Sequence, residues 1–360
     1  MTWQPAGSVG PEDVDALFAG AQLFTSGGGG DGGRLSVPVE WLRSVLAGSG
    51  PVPLLSARDV PDGWCAAVGF VGAPFLMGEQ LPTGDEVLRA MGRLERWTGR
   101  SCTAVAPLNV AGENALLPVL AAAELGVPLL DVDGMGRVFP LVEQTTFALG
   151  GVSPTPLAAA GSGGEVVVLD CPQPRLELLL RQTVLSCGGW VVCACYPATP
   201  AQLAATGVPG GVSRALEVGR LLTRAAVSGD AVARRLGGGL LGQGRVIDIE
   251  HRTARWRERR LPAGASSVLI RESGERGRVL RLEVHNEVLL VLADGGAVAS
   301  VPDVIGLLGL PDRRVLGVED VGIGMEVEVL VLPAAPPWRT PEGMALAGPE
   351  AFGLPDLVVR

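Results

Sequence analysis

Lysine is absent from this sequence: all 29 basic side chains are arginine. That excludes internal pyridoxal phosphate held as a Schiff base, and it excludes a Walker-type phosphate loop, whose lysine reaches the phosphates. Histidine is nearly as scarce, with only His251 and His285 present. A three-histidine metal site therefore cannot form within one chain, and a divalent metal would have to rest on carboxylates or thiolates. No apolar run approaches the length that spans a bilayer. Met1 to Val9 carries neither a basic start nor a long apolar core, so no secretory signal is read there, no membrane partner is expected, and the expected compartment is the cytoplasm. Positive charge is in deficit, with a net charge of -9 and a pI near 4.9, which argues against nucleic acid as a partner because binding phosphates takes a clustered cationic surface. The local exception is His251 to Arg260, where five arginines fall within ten positions; it reads first as a solvated strand or loop face and second as an anion site. Six cysteines are present, and in that compartment disulfides are not expected. Cys193-Ala-Cys195 lies in an apolar run that reads as a buried strand.

What is abundant is apolar and turn-forming: 47% hydrophobic residues, 52 glycines and 28 prolines in 360 residues, a chain long for one core. Two domains are expected, 1–160 and 161–360, with the boundary in the alanine-, glycine- and serine-rich stretch Leu157 to Gly164. Pro11 to Leu23 has helical spacing, and Ser36 to Leu46 restarts a helix behind a serine N-cap. Strands are expected over Pro51 to Ser56, Trp64 to Val71 and Thr103 to Leu108. Between the last two, Asp85 to Trp97 reads as a helix with Val87, Leu88, Met91, Leu94 and Trp97 on one side. A further helix ends near Leu125. The alternation of strand, polar loop and helix implies an α/β fold whose N-terminal domain holds a mostly parallel sheet with its loops gathered at one end. Glu165 to Asp170, Pro174 to Ser186, Trp190 to Cys195 and the helix after Ser213 open a second α+β domain. From Gly244 the texture turns to short alternating segments, among them Val279 to Val291, so this domain ends in a β-rich unit.

The stretch Gly126 to Phe147 is the candidate centre. Leu129 to Val132 form a short apolar strand, and its exit carries Asp131, Asp133, Gly134, Gly136 and Arg137, the position where open α/β sheets put their ligands. The plainer reading is a strand-to-helix turn in which the aspartates cap the next helix and the arginine pairs with one of them. Gly27 to Gly30, followed by Asp31, expose main-chain N–H groups that can surround an anion, or form a flexible tether. Asn109, Glu113 and Asn114 open a loop at the same end of the expected sheet as Asp131 and Asp133.

Several segments occur together in order: Gly27 to Asp31, Asp131-Val-Asp-Gly-Met-Gly-Arg137 with Phe139-Pro140, His285-Asn-Glu287, Val301-Pro-Asp-Val-Ile305, Trp338-Arg-Thr-Pro-Glu-Gly343 and Gly348-Pro-Glu-Ala-Phe-Gly353. With them the chain resembles, over nearly its whole length, the bacterial S-methyl thiohydantoin desulfurase family, long described as proteins encoded beside hydantoinase/oxoprolinase genes. The resemblance implies an N-terminal α/β domain, a β-rich C-terminal domain, and exchange of sulfur for oxygen at the carbon between the two nitrogens of a thiohydantoin or hydantoin-like ring. It implies site positions at Gly27, Gly28, Gly29, Gly30, Asp31, Asp131, Asp133 and Arg137, with Asn286 and Glu287 from the second domain. Three segments depart from the family pattern. Asn109 stands where an acid is expected, Leu141 follows Phe139-Pro140 in place of glutamate, and Ala254 to Arg260 replaces a glycine-containing run. These departures leave room for a divergent substrate in secondary metabolism or for a non-catalytic binding protein.

For hydrolytic exchange, Asp131 or Asp133 is the candidate base if burial raises its pKa, and Arg137 with the glycine amides is the candidate stabiliser of negative charge. Asn109, Glu113, Asn286 and Glu287 are candidate substrate contacts. Asp31, Glu79, Glu113 and Glu143 are reserve carboxylates, each more often a cap or surface group. A carboxylate metal site on Asp131, Asp133 and a third acid and a cysteine nucleophile at Cys171 remain open. His285 reads as a half-buried strand residue. The expected partners are a small heterocyclic substrate and either a second copy of the chain or a hydantoinase-like protein.

Overall fold

The computed structural model describes residues 7–28, 37–73, 76–223, 227–250, 266–274 and 277–354. Its contacts divide into two compact units, one drawn from Met1–Ala21 with Gly33–Gly219 and the other from Gln22–Gly32 with Arg220–Arg360.

The first unit is α/β. Its strands are β1 (Gly7–Val9), β2 (Val52–Leu55), β3 (Trp64–Gly72), β4 (Cys102–Pro107), β5 (Leu129–Leu130), β6 (Val132–Asp133), β7 (Leu157–Ala160), β8 (Val166–Leu169), β9 (Trp190–Ala198) and β10 (Val208–Pro209). Eight of them form one sheet in the order β1-β2-β5-β4-β3-β9-β7-β8. The block β2-β5-β4-β3 is parallel, and β9, β7 and β8 extend it antiparallel. β3 is an unbroken apolar run, buried from Trp64 to Phe70, as a strand covered on both faces must be. Helix Glu86–Thr98 packs over the adjoining strands β9 and β7 and buries Val87, Ala90, Met91 and Leu94, a stripe at i, i+3, i+4 and i+7. Leu88 and Trp97, placed on that stripe by the sequence reading, face outward instead, with 40% and 56% of their surface exposed.

Leu157–Ala160 has the composition of a linker, yet it is a wholly buried strand between β8 and β9. Helix Glu86–Thr98 packs over it. Alanines there let the helix approach the sheet closely, and composition alone does not separate that demand from a linker's. Residues 161–198, assigned to the second domain from the sequence, thereby include two strands of the first unit's sheet.

Helices Val14–Leu23 and Gly211–Leu222 cross at four small residues. A Cβ on Gly20 would collide with the Ala215 carbonyl, and one on Gly219 with the Ala16 carbonyl. The crossing holds the second helix at its C-terminal end, and its first turn is where the candidate site is built.

The second unit is antiparallel. β11 (Gly239–Glu250), β12 (Ser266–Glu272), β13 (Val279–Val284), β14 (Val288–Ala293), β15 (Gly296–Ser300), β16 (Val304–Gly309), β17 (Val315–Leu316) and β18 (Glu326–Leu332) lie in the order β15-β14-β13-β12-β11-β18-β16-β17. Leu280, Leu282 and Val284 alternate into a core with Val268, Ile270, Val291, Ile305, Leu307, Val327 and Val329. The stretch Val279 to Val291, expected as one strand, is two. His285–Glu287 is the turn between them, closed by His285 N–H donating to the Glu287 carbonyl at 3.0 Å. The segment Leu23–Gly28 belongs here as well. Ser26 sits at φ 53°, its carbonyl accepts from Val288 N at 2.8 Å, and its hydroxyl accepts from Ile305 N at 2.9 Å while donating to the Ile305 carbonyl at 3.2 Å.

Gly219→Ala is expected to destabilise the protein by about 1–3 kcal/mol, because the added methyl must push two backbones apart. Denaturant unfolding measures it, and Gly92→Ala, where a Cβ meets nothing within 4 Å, is the control that stays at or above wild-type stability.

Candidate active site

The strand read as Leu129 to Val132 changes partners at Asp131. Leu129–Leu130 lies in the parallel sheet, with Asp131 N donating to the Leu55 carbonyl at 2.9 Å. Val132–Asp133 then pairs antiparallel with Val208–Pro209. That switch brings the strand exit against the start of helix Gly211–Leu222, 80 residues further along the chain.

A helix start leaves amides without partners, and Asp131 supplies the acceptor. Its Oδ1 accepts from Val212 N at 3.0 Å and Ser213 N at 3.2 Å, and its Oδ2 accepts from Ser213 Oγ at 2.6 Å. The plainer sequence reading had the aspartates capping the next helix; Asp131 does cap a helix, but a distant one. Burial raises its pKa, and the hydrogen bonds from Ser213 and Val212 together with the charge of Arg214 oppose the rise.

Asp133 is fully buried. Its Oδ1 accepts from Met135 N at 2.8 Å and Gly136 N at 2.5 Å, a tight turn that puts Gly136 at φ 75°, a conformation glycine adopts without strain. Its Oδ2 has no hydrogen-bond partner among the described residues and faces Gly211, where a Cβ would collide with it. Burial pushes the Asp133 carboxyl up to about 6, with the Gly136 and Met135 amides and Arg214 pulling it down and Asp131 pushing it further up.

Arg137 is 1% exposed. Its Nε donates to the Val138 carbonyl at 3.0 Å, and its guanidinium lies 5.1 Å from the centre of the Phe139 ring, within cation–π range. The loop that carries it closes on Gly134, whose carbonyl accepts from Thr146 N at 2.6 Å and Thr146 Oγ1 at 3.1 Å. Tyr196 holds the far side of that loop, its hydroxyl accepting from Thr145 Oγ1 at 2.8 Å and donating to the Val142 carbonyl at 2.9 Å. Gly134 N donates to the Leu108 carbonyl at 3.1 Å, so the loop that starts with Asn109 lies beside the Asp131–Arg137 segment. Asn109 is buried and its Oδ1 accepts from Ala111 N at 2.9 Å. Glu113 is half-buried in a 3-10 turn over Gly112–Ala115, and Asn114 Oδ1 accepts from Phe70 N at 2.7 Å.

Gly27, Gly28, Asn286 and Glu287 form a separate group in the second unit. Gly27 sits at φ 81° and its carbonyl accepts from Val318 N at 2.8 Å. Gly28 packs so closely on Asn286 and Glu287 that a Cβ would reach 2.9 Å from Glu287 Cγ. Its N–H turns back to the Thr25 carbonyl at 2.9 Å, so the amide expected to face an anion is used within the turn. Glu287 is buried and Asn286 exposed. Gly29, Gly30, Asp31 and the run His251 to Arg260 lie outside the described residues.

Of the other candidates, Glu79 is exposed, and Glu143 is half-buried with its pKa raised by burial and by Glu177. His285 is half-buried in its turn, its pKa lowered by burial. Cys193 and Cys195 are fully buried, and burial raises both thiols. Cys171 is half-buried, and its carbonyl accepts from Thr155 Oγ1 at 3.3 Å. A divalent metal does not fit the aspartate pair. Donors at the helix start take both oxygens of Asp131, and among the described residues no group of three ligand-type side chains occurs.

The sequence reading missed Ser213 and Arg214. Arg214 stands in the first turn of helix Gly211–Leu222, where the helix dipole disfavours a cation; an arginine directly after a glycine-rich helix start was the available signal.

Ser213→Ala removes a charge-assisted hydrogen bond from a buried carboxylate and is expected to cost about 2 kcal/mol in denaturant unfolding. Asp133 makes stability depend on pH. A carboxyl whose folded pKa is about 6 against 3.8 unfolded favours folding most at low pH and loses that contribution as pH rises from about 4 to about 6. Asp133→Asn removes that fall. Glu124, raised to about 7 by burial and by Glu86 and Asp85, acts in the same direction and remains in the variant, so the difference between the two stability curves isolates Asp133.

Comparisons with known proteins bear on the chain as a whole. A crystal structure of a protein from Chromobacterium violaceum is similar at 26% identity, covers 97% of both chains and superposes with a TM-score of 0.76. None of the curated proteins matches. Two family models cover the sequence from residue 12 onward: the S-Me-THD-like N-terminal domain over 12–171 and the S-Me-THD-like C-terminal domain over 172–360. The chain therefore belongs to the S-methyl thiohydantoin desulfurase-like family.

Proposed function

We propose that this protein hydrolyses a thiohydantoin-type ring, exchanging sulfur for oxygen at the carbon between the ring nitrogens, with Asp133 as the general base. The observation that carries the reading is the Asp133 carboxylate: wholly buried, raised to about 6, and with Oδ2 free of hydrogen-bond partners among the described residues. Asp131, with both oxygens engaged at the helix start, is a positioning group. A base working near neutral pH needs a pKa lifted toward that pH, which burial supplies to Asp133.

In the proposed reaction Asp133 takes a proton from water as its oxygen attacks the ring carbon that bears the S-methyl group. The carbon–nitrogen double bond opens, and the electron pair goes to the ring nitrogen. The proton of the added hydroxyl passes to that nitrogen as the ring carbonyl forms and the carbon–sulfur bond breaks, and methanethiolate leaves with the proton returned from Asp133. Water and the S-methyl thiohydantoin thus give a hydantoin and methanethiol. Arg137, buried against Phe139, is the candidate counter-charge for the electron-rich nitrogen.

A second reading, binding of such a ring without chemistry, is favoured by Asn109, whose side-chain oxygen is committed to Ala111 N. In that reading a hydantoinase-like partner would perform the chemistry, and the two proteins would co-purify.

Purified protein is expected to release methanethiol from an S-methyl thiohydantoin and to incorporate labelled oxygen from water into the ring. Asp133→Asn is expected to lower kcat by about 100-fold or more while ligand binding by calorimetry persists. Binding without release of methanethiol or sulfide, with or without added divalent metal, would favour the second reading, and neither binding nor turnover would overturn both.

A further inference from the structure

Arg214 lies on a helix face whose direction is set independently of its own side chain. Asp131 fixes the helix start through Val212 and Ser213, and the crossing of Gly219 with Ala16 fixes its last turns. The Cβ direction of Gly211 points at Asp133 Oδ2. Position 214 is three residues on, on the same face, so its stem rises beside the carboxylate that Gly211 leaves room for. A charged guanidinium in the first turn opposes the helix dipole and is costly to bury. Arg214 is half-buried, and nearby negative charge offsets both costs: Asp131 and Asp133 meet this turn.

We infer that Arg214 is the positioning residue for Asp133: its charge sets the pH at which the buried carboxylate gains and releases its proton. Among the described residues the charged side chains that bear on Asp133 are Asp131, from its own segment, and Arg214, from the helix; Met135 and Gly136 add their amides. The coupling is mutual, since burial lowers the pKa of Arg214 and the charges of Asp133 and Asp131 raise it. Without Arg214 the carboxylate would keep its like-charged neighbour Asp131 and lose the charge of Arg214. It would then release its proton at a higher pH, leaving less of the base form at neutral pH. The inference adds regulation to the proposed site, but its test does not depend on turnover.

The experiment compares the pH dependence of unfolding stability in wild type, D133N, R214M, R214K and the double variant D133N/R214M. R214M keeps the apolar stem and removes the charge. The difference between wild type and D133N reports the Asp133 proton and is expected to end near pH 6. In the R214M background the corresponding difference is expected to extend upward by about one pH unit or more, and R214K is expected to return it to within about half a unit of wild type. If R214M is too unstable in buffer, the same curves are taken in a stabilising osmolyte. An Asp133 inflection unmoved in R214M, or moved equally in R214K and R214M, would overturn the inference. Loss of the proposed function would appear separately, as wild-type protein with the expected titration and no methanethiol release.

Discussion

The hydrogen bonds from Val212 N, Ser213 N and Ser213 Oγ to Asp131 tie a helix start to the exit of a parallel strand. They hold Gly211 against Asp133 and set the face on which Arg214 stands. The Gly219 crossing holds the helix at its other end, where Ala16 leaves no space for a methyl group. A carboxylate serving as a distant N-cap is thus what joins two segments of chain into one polar cluster, and the two-residue pairing of Val132–Asp133 with Val208–Pro209 sits at that junction.

The two aspartates of the Asp131-Val-Asp133 segment have different surroundings and different chemistry. Burial raises both carboxyls, but at Asp131 three donors and the positive end of a helix oppose the rise. Asp133 spends one oxygen on its own turn and keeps the other, buried and without a hydrogen-bond partner among the described residues, against Gly211. Environments that push two neighbouring carboxyls apart in proton affinity are how acid and base roles are divided within one site. In the proposed function this division makes Asp133 the proton carrier and Asp131 its scaffold.

Elements with strong periodicity were legible in the sequence. The strand Trp64–Gly72, the helix Glu86–Thr98 and the alternating strands after Gly239 each repeat one pattern long enough to be read. The parallel block and the antiparallel second unit follow from them. Where local composition serves two ends, reading failed: Leu157–Ala160 has a linker's residues because a helix lies close over it, and His285–Glu287 interrupts a run apolar enough to pass for one strand. Asp131, Asp133, Arg137 and Asn109 were legible as a group because a strand exit in a parallel sheet gathers polar residues. Ser213 and Arg214 were not, since their place depends on contacts across 82 residues of chain that no local pattern encodes. Gly27 and Gly28 are in place for reasons of close packing on Val288, Val318 and Glu287, which a run of glycines signals no differently from an anion-binding loop.

The most direct measurement is a crystal structure of the protein with a hydantoin bound. The ring carbon between the two nitrogens is expected within one water's reach of Asp133 Oδ2, with Arg137 at the ring edge. A ring bound elsewhere, with Asp133 still sealed against Gly211, would contradict the assignment of Asp133 as the base.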